Sequence, residues 1–75
     1  MSKDYIQNSI RRLRFNAGEM TQQELADKVG VFRKTIVAIE KGKYAPSLEL
    51  AFRIAYVFKT PLEEVFSYEP DTNGS

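Results

Sequence analysis

The sequence contains no cysteine and no histidine among its 75 residues. Disulfide bonds are therefore excluded, and so are the usual side-chain ligands of a structural zinc ion. A chain of this length forms one small domain, and without such cross-links it must rely on compact packing of a hydrophobic core. Hydrophobic residues make up 43% of the chain, which is enough for such a core.

Long apolar runs are also lacking. None approaches the roughly 20 residues of a membrane span, and the N-terminal Met-Ser-Lys-Asp-Tyr lacks the apolar stretch of a secretory signal. We therefore expect a soluble, cytoplasmic protein with no membrane partner.

Residues suited to catalysis are scarce. There is no His or Cys to act as a base or nucleophile, and Gly42 is isolated rather than part of a glycine-rich phosphate loop. Glu63 and Glu64 begin a short predicted helix, where carboxylates offset the helix dipole. We expect no enzymatic activity, no metal and no cofactor, and no segment indicates a small-molecule ligand.

Charge is nearly balanced, with a net value of +1, but it is unevenly distributed. Residues 1–59 contain all eleven Lys and Arg against six acids, a charge of +5, whereas residues 60–75 contain four acids and no base, a charge of −4. Such a division favours a face that contacts a polyanion. By itself, it fits an ordinary solvated surface with an acidic tail equally well.

Apolar spacing and capping residues predict the first three of five helices. The face of the first helix is predicted by Ile6, Ile10, Leu13 and Ala17. Thr21 and Glu24 form a capping box at the start of the second helix, and Gly30 ends it. The third helix begins at Phe32 or Arg33. The predicted buried residues of the second and third helices are Leu25, Ala26, Val29, Ile36 and Ile39.

Two further helices are predicted after the loop at Pro46. Ser47 is the N-cap of the fourth. Its predicted inner stripe consists of Leu48, Ala51, Ile54, Ala55 and Phe58. For the fifth helix, Thr60 and Glu63 form a second predicted capping box, with Pro61 at the first helical position. We assign residues 1–66 to one domain and residues 67–75 to a disordered acidic tail.

The turn between the second and third helices resembles the helix-turn-helix of phage repressors and Cro, in the Xre family of bacterial regulators. The resemblance covers residues 6–66. Its residues are Ile10–Arg14, Met20–Ala26, Val29–Val31, Thr35-Ile36, Ile39-Glu40, Gly42–Tyr44, Pro46–Leu48 and Leu62–Phe66. It implies a compact, all-α, five-helix fold like that of lambda repressor, with the helix-turn-helix at helices two and three.

The resemblance also implies which residues contact double-stranded DNA. The expected phosphate contacts are Thr21, Gln22, Lys43 and Tyr44, together with the backbone N–H groups beside Lys43 and Tyr44. Thr35 contacts a phosphate or a base edge. The expected base-reading residues are Arg33, Lys34, Val37 and Ala38. In this family, the residues at the positions of Arg14 and Glu40 form an ion pair, which would tie helix one to the end of helix three.

Three residues depart from the family pattern. Lys34 replaces a frequent glutamine that often reads adenine in the family, which puts adenine reading in doubt and favours guanine or phosphate. Phe32 stands where Ser, Thr or Asp usually caps the recognition helix, and we include it among the DNA-contacting residues. Its ring can stack on a sugar, touch a thymine methyl group, join a protein contact, or fold back on the turn as a local staple. Lys59 replaces a glycine that commonly ends helix four, which predicts a strained or shifted helix end.

The function implied is that of a sequence-specific transcriptional regulator, a repressor or autoregulator that reads the major groove of an operator with helix three. We expect a homodimer whose half-sites lie about 34 Å apart. The candidate dimer residues are Phe52, Tyr56 and Phe66. Alternatively, these aromatic residues, Phe66 above all, belong to the core. The alternative is a protein-interaction module, or an antitoxin of the same fold, with little DNA specificity.

Overall fold

The computed structural model describes residues 5–69 of the chain. Five helices follow one another between two short terminal strands. The elements are β1 (Tyr5–Asn8), α1 (Ile10–Asn16), α2 (Gln22–Val29), α3 (Arg33–Glu40), α4 (Leu48–Phe58), α5 (Leu62–Val65) and β2 (Phe66–Glu69). The longest helix of this region, α4, has 11 residues, and no helix among residues 5–69 is long and apolar enough to cross a membrane.

The turn between α2 and α3 forms as the sequence predicts. The Thr21 hydroxyl accepts a hydrogen bond from the Glu24 N–H, and the Glu24 carboxylate accepts one from the Thr21 N–H. Gly30 has the left-handed conformation, with φ 78° and ψ 36°, and its N–H donates to the Ala26 carbonyl. A side chain at Gly30 would be strained by this φ, so the residue fixes the direction in which α3 leaves α2.

All five predicted core residues of α2 and α3 are buried. They join residues of α1, α4 and α5 in one cluster. The cluster consists of Ile10, Leu25, Ala26, Val29, Ile36, Ile39, Leu50, Ile54, Ala55 and Val65. Because α3 contributes only Ile36 and Ile39, its remaining face is left for other contacts.

The predicted inner stripe of α4 is wrong at its first residue. Leu48 is exposed, and Leu50 occupies the core instead. At about 100° per residue, Leu48 lies roughly 120° around the helix from the fully buried Ile54. It therefore faces solvent.

The two strands correct the prediction of an all-α fold. Ile6 belongs to β1 rather than to the first helix, and Ser67–Glu69 belong to β2 rather than to a disordered tail. The strands pair in antiparallel register, with Ile6 opposite Tyr68 and Asn8 opposite Phe66. Asn8 ends β1 by accepting a hydrogen bond from the Ile10 N–H and donating one to the Ile39 carbonyl. Residues 70–75, the rest of the predicted tail, lie outside the described residues.

The sequence predicts the end of α4 correctly but not the start of α5. Lys59 ends α4 in the left-handed conformation, with φ 56°, so the predicted strained end is correct. The capping box of Thr60 and Glu63 does not form, because Pro61 has an extended ψ of 157° and α5 begins only at Leu62. The Thr60 hydroxyl is instead buried without a hydrogen-bond partner in the described region.

Candidate nucleic-acid interface

The outer face of α3 carries the side chains expected to read bases. Arg33 and Lys34 are exposed in its first turn, and Thr35, Val37 and Ala38 are partly buried. An α-helix with side chains is about 10 to 12 Å across, which matches the width of the major groove. The face opposite Ile36 and Ile39 therefore has the composition and size for base contact.

The C-terminal end of α3 brings together Arg14, Glu40 and Gln22. The Arg14 guanidinium donates to both Glu40 carboxylate oxygens, from Nε at 2.7 Å and from Nη2 at 3.0 Å. Arg14 Nη1 also donates to the Met20 carbonyl at 2.8 Å, and Gln22 Nε2 donates to Glu40 Oε1 at 3.2 Å. The last residue of α3 is thus hydrogen-bonded to α1 and to the start of α2.

The start of α2 presents Thr21 and Gln22 beside α3. The Thr21 side chain is exposed but already serves as the cap of α2, whereas Gln22 is partly buried by its bond to Glu40. A phosphate contact by Gln22 therefore competes with that bond or uses the amide group's remaining hydrogen.

The loop after α3 presents Lys43 and Tyr44 as exposed side chains. The backbone N–H groups of Gly42 and Lys43 are used at the helix end, where they donate to the carbonyls of Ile39 and Ala38. We expected backbone N–H groups near Lys43 to bind phosphate; for these two residues the side chains are the available donors instead.

Phe32 is the residue immediately before α3, and it is 76% exposed. It does not fold back on the turn, so the staple interpretation is wrong. Phe32 also leaves α3 without a side-chain cap. Its ring borders a shallow groove that includes Val31, Arg33 and Tyr44. There it is accessible to a binding partner such as DNA or another protein.

One basic residue of the site was not predicted. Arg11 of α1 was assigned only to the family motif, yet it lies beside the outer face of α3. It lines a shallow groove, here called the α1–α3 groove, with Arg14, Thr21, Gln22, Val37, Glu40 and Lys41. The signal in the sequence was its position three residues before Arg14, which places both on neighbouring turns of one helix face.

The candidate dimer residues separate into two groups. Phe52 and Tyr56 are exposed on α4, where Leu48 extends them into a row spaced by four residues. Phe66 is partly buried in β2 and packs against the core. Of the three candidates, only Phe52 and Tyr56 therefore offer an exposed apolar surface.

Sequence similarity links the chain to known helix-turn-helix proteins. Residues 10–65 match the helix-turn-helix family. An uncharacterized HTH-type transcriptional regulator of Methanocaldococcus jannaschii is 60% identical over 52 residues, which cover 69% of this chain and 79% of the relative. Another, from Archaeoglobus fulgidus, is 52% identical over 66 residues, covering 88% of this chain and 93% of the relative.

A phage protein and a solved structure extend these similarities. The cryptic phage CTXphi transcriptional repressor RstR from Vibrio cholerae is 35% identical over 66 residues, covering 88% of this chain and 58% of the repressor. A crystal structure of a Bacteroides fragilis protein has a TM-score of 0.72 at 21% identity, covering 83% of this chain and 98% of that one. That structure shows a shared fold. The family match and the relatives show that the chain belongs to the Xre-type helix-turn-helix family.

Proposed function

We propose that this protein is a DNA-binding transcription regulator that inserts α3 into the major groove of an operator. The observation that carries the proposal is the α3 face itself. Arg33 and Lys34 are exposed there without an ion-pair partner among residues 5–69, while the Arg14–Glu40 pair holds the other end of the helix. Its named relatives, HTH-type transcriptional regulators, support the same function.

The proposed contacts divide into two kinds. Arg33 and Lys34 donate to guanine O6 and N7, and Val37, Ala38 and Phe32 make apolar contacts such as those with thymine methyl groups. The phosphate contacts come from Thr21, Gln22, Thr35, Lys43 and Tyr44. The second group positions the protein on any duplex, and the first selects the sequence.

We further propose that the regulator is a repressor and acts as a homodimer. The repressor role is supported by the similarity to RstR, which is named a transcriptional repressor. The dimer is supported by the exposed row of Leu48, Phe52 and Tyr56 on α4, because a contiguous apolar row is unusual on a monomer surface. A two-fold dimer would use the same row on both copies.

Selection of bound duplexes from random DNA at physiological salt tests the function. We expect enrichment of two-fold-related half-sites about one helical turn apart. Arg33→Ala should then weaken binding to the selected site by about 1–3 kcal/mol and relax the preference at one base pair. Lys43→Ala should weaken binding to all duplexes alike. It should also lower the slope of log K against log salt by about one.

Three outcomes would contradict these assignments. An equal loss on all duplexes for Arg33→Ala would make Arg33 a phosphate contact. No enriched sequence at all would favour the protein-interaction or antitoxin alternative, with α4 and Phe32 as its binding surface. Sedimentation of the protein with and without the selected duplex tests the dimer, which a 1:1 complex at saturation would refute.

A further inference from the structure

We infer that Arg53 of α4 is a positioning residue for sequence-specific DNA binding, because it holds the end of α2 and so sets the direction in which α3 leaves the turn. The inference rests on the proposed function and adds to it a residue that acts through the turn. It arises from one hydrogen bond between two helices. Arg53 Nη1 donates to the carbonyl of Val29, the last residue of α2, at 3.2 Å.

The bond from Arg53 reaches the point at which the chain turns. Gly30 follows Val29 in the left-handed conformation, and the N–H groups of Gly30 and Val31 both donate to the Ala26 carbonyl, at 2.8 and 3.0 Å. The last carbonyls of a helix lack N–H partners within it, and Arg53 supplies a donor to the carbonyl of Val29. A cation at this position also interacts favourably with the dipole of α2.

Gly30 allows the guanidinium group to approach the turn closely. A Cβ atom at this position would lie 3.8 Å from Arg53 Nη1, which is van der Waals contact. Arg53 also lines one groove with Val31, Phe32 and Arg33. It therefore lies beside the segment that leads from α2 into the proposed base-reading face of α3.

Glu49 holds the other side of the Arg53 guanidinium. Its Oε2 atom, one helical turn earlier in α4, accepts a hydrogen bond from Arg53 Nη2 at 2.6 Å. The guanidinium is thus fixed between a carboxylate of its own helix and a carbonyl of α2. At the far end of α3, Arg14 of α1 binds Glu40. Arginines from two other helices therefore restrain α3, one through the turn before it and one at its last residue.

Base contacts depend on this restraint more than phosphate contacts do. Base-reading side chains must be placed within about 0.5 Å, and Arg33 and Lys34 are the first two residues of α3 after the turn. A small change of angle at the turn therefore misplaces both. Phosphate contacts carry no sequence information, so affinity for unrelated DNA depends less on the direction of α3.

The binding test compares the affinity for the selected duplex with the affinity for an unrelated duplex of equal length. Arg53→Ala should lower the ratio of these affinities about fivefold, the effect of losing one hydrogen bond of ordinary strength. Loss of the positive charge acts on both duplexes alike and cancels in the ratio. Glu49→Ala is the matched control, because it breaks the same ion pair but leaves the Val29 carbonyl available to Arg53. Its ratio should stay within about twofold of wild type.

Amide hydrogen exchange in the free protein tests the same bond without DNA. In Arg53→Ala, the amides of Gly30 and Val31 should exchange about fivefold faster, because the end of α2 opens more readily. The Lys43 amide is the internal reference, since it donates to the Ala38 carbonyl beyond the other end of α3. Its exchange rate should remain that of the wild type.

The outcomes separate the inference from the proposed function. A wild-type protein that binds all duplexes equally overturns the proposed function and, with it, the role of Arg53 in specific binding. If the wild type is selective, an unchanged ratio in Arg53→Ala, or an equal fall in Glu49→Ala, overturns the inference alone. Equal acceleration of the Gly30, Val31 and Lys43 amides also overturns it, because Arg53 would then contribute only general stability.

Discussion

Removal of the Glu40 carboxylate should destabilise the fold by about 3 kcal/mol, the lower end of the range for breaking a buried pair. The Arg14 and Glu40 side chains are 14% and 10% exposed, and they share two hydrogen bonds. In Glu40→Ala, the guanidinium keeps only its bond to the Met20 carbonyl and stays partly buried without an opposite charge. A domain of this size has a stability of about 4–11 kcal/mol, so the loss is a large part of the total.

A second ion pair in the same chain provides an exposed comparison. Arg53 Nη2 lies 2.6 Å from Glu49 Oε2, against 2.7 Å for the contact between Arg14 and Glu40, but these side chains are 55% and 74% exposed. Exposed pairs of this spacing contribute about 0.5 kcal/mol, and the position of Glu49 in the first turn of α4 adds a few tenths. Glu49→Ala should therefore cost no more than about 1 kcal/mol.

Urea unfolding followed by far-UV circular dichroism measures both losses. The slope of the unfolding free energy against urea should stay constant, so that a lower midpoint reports stability alone. Adding Arg14→Ala and Arg53→Ala completes two double-mutant cycles, in which the buried pair should show the larger coupling energy. Equal losses for Glu40→Ala and Glu49→Ala would refute the reasoning that burial makes the first pair important.

Four other predictions concern stability and binding. Phe32→Ser should supply the missing cap of α3 and raise the unfolding free energy by about 1 kcal/mol, while weakening binding to the selected duplex; a gain in affinity would remove Phe32 from the DNA contacts. Lys59→Gly should stabilise by up to about 1 kcal/mol by relieving the left-handed conformation, and an unchanged urea midpoint would contradict it. Ile36→Ala should cost about 2–5 kcal/mol, visible as a lower melting temperature, and a loss below 1 kcal/mol would mean that the cavity collapses. The double variant Arg14→Met, Glu40→Leu should stay within about 2 kcal/mol of wild-type stability but bind the selected duplex less tightly; unchanged affinity would show that the pair does not orient α3.

The sequence predicts the centre of this fold well because its signals there are local. The capping box of Thr21 and Glu24 and the left-handed Gly30 each depend on residues within one helical turn. The strand pairing of Ile6 with Tyr68 joins residues from opposite ends of the chain, and no local period reports it. Ile6 also fitted the helical spacing of Ile10, so the apolar pattern favoured the wrong element.

The same distinction applies to the candidate site. Arg33 and Lys34 could be placed on the outer face of α3 from helical periodicity once Ile36 and Ile39 were assigned to the core. Arg11 could not, because its relation to α3 depends on the angle at which α1 crosses the other helices. The orientation of the Phe32 ring could not be predicted either, because a turn allows the ring to pack inward or to project outward.

We expect the ion pair at Glu40 to help so small a core hold α3 in one orientation. The apolar contacts of Ile36 and Ile39 keep α3 packed against the core. Hydrophobic contact has little directional preference, however, so it resists a small rotation of α3 only weakly. Glu40 adds directional bonds, since its carboxylate accepts hydrogen bonds from Arg14 on α1 and Gln22 on α2. Base contacts require side chains placed within about 0.5 Å, so a rotation too small to expose the core would still misplace the side chains of the outer face. A hydrophobic replacement of the pair can restore the packing, but it cannot restore this directional restraint, which is why we expect stability and DNA affinity to separate in that variant.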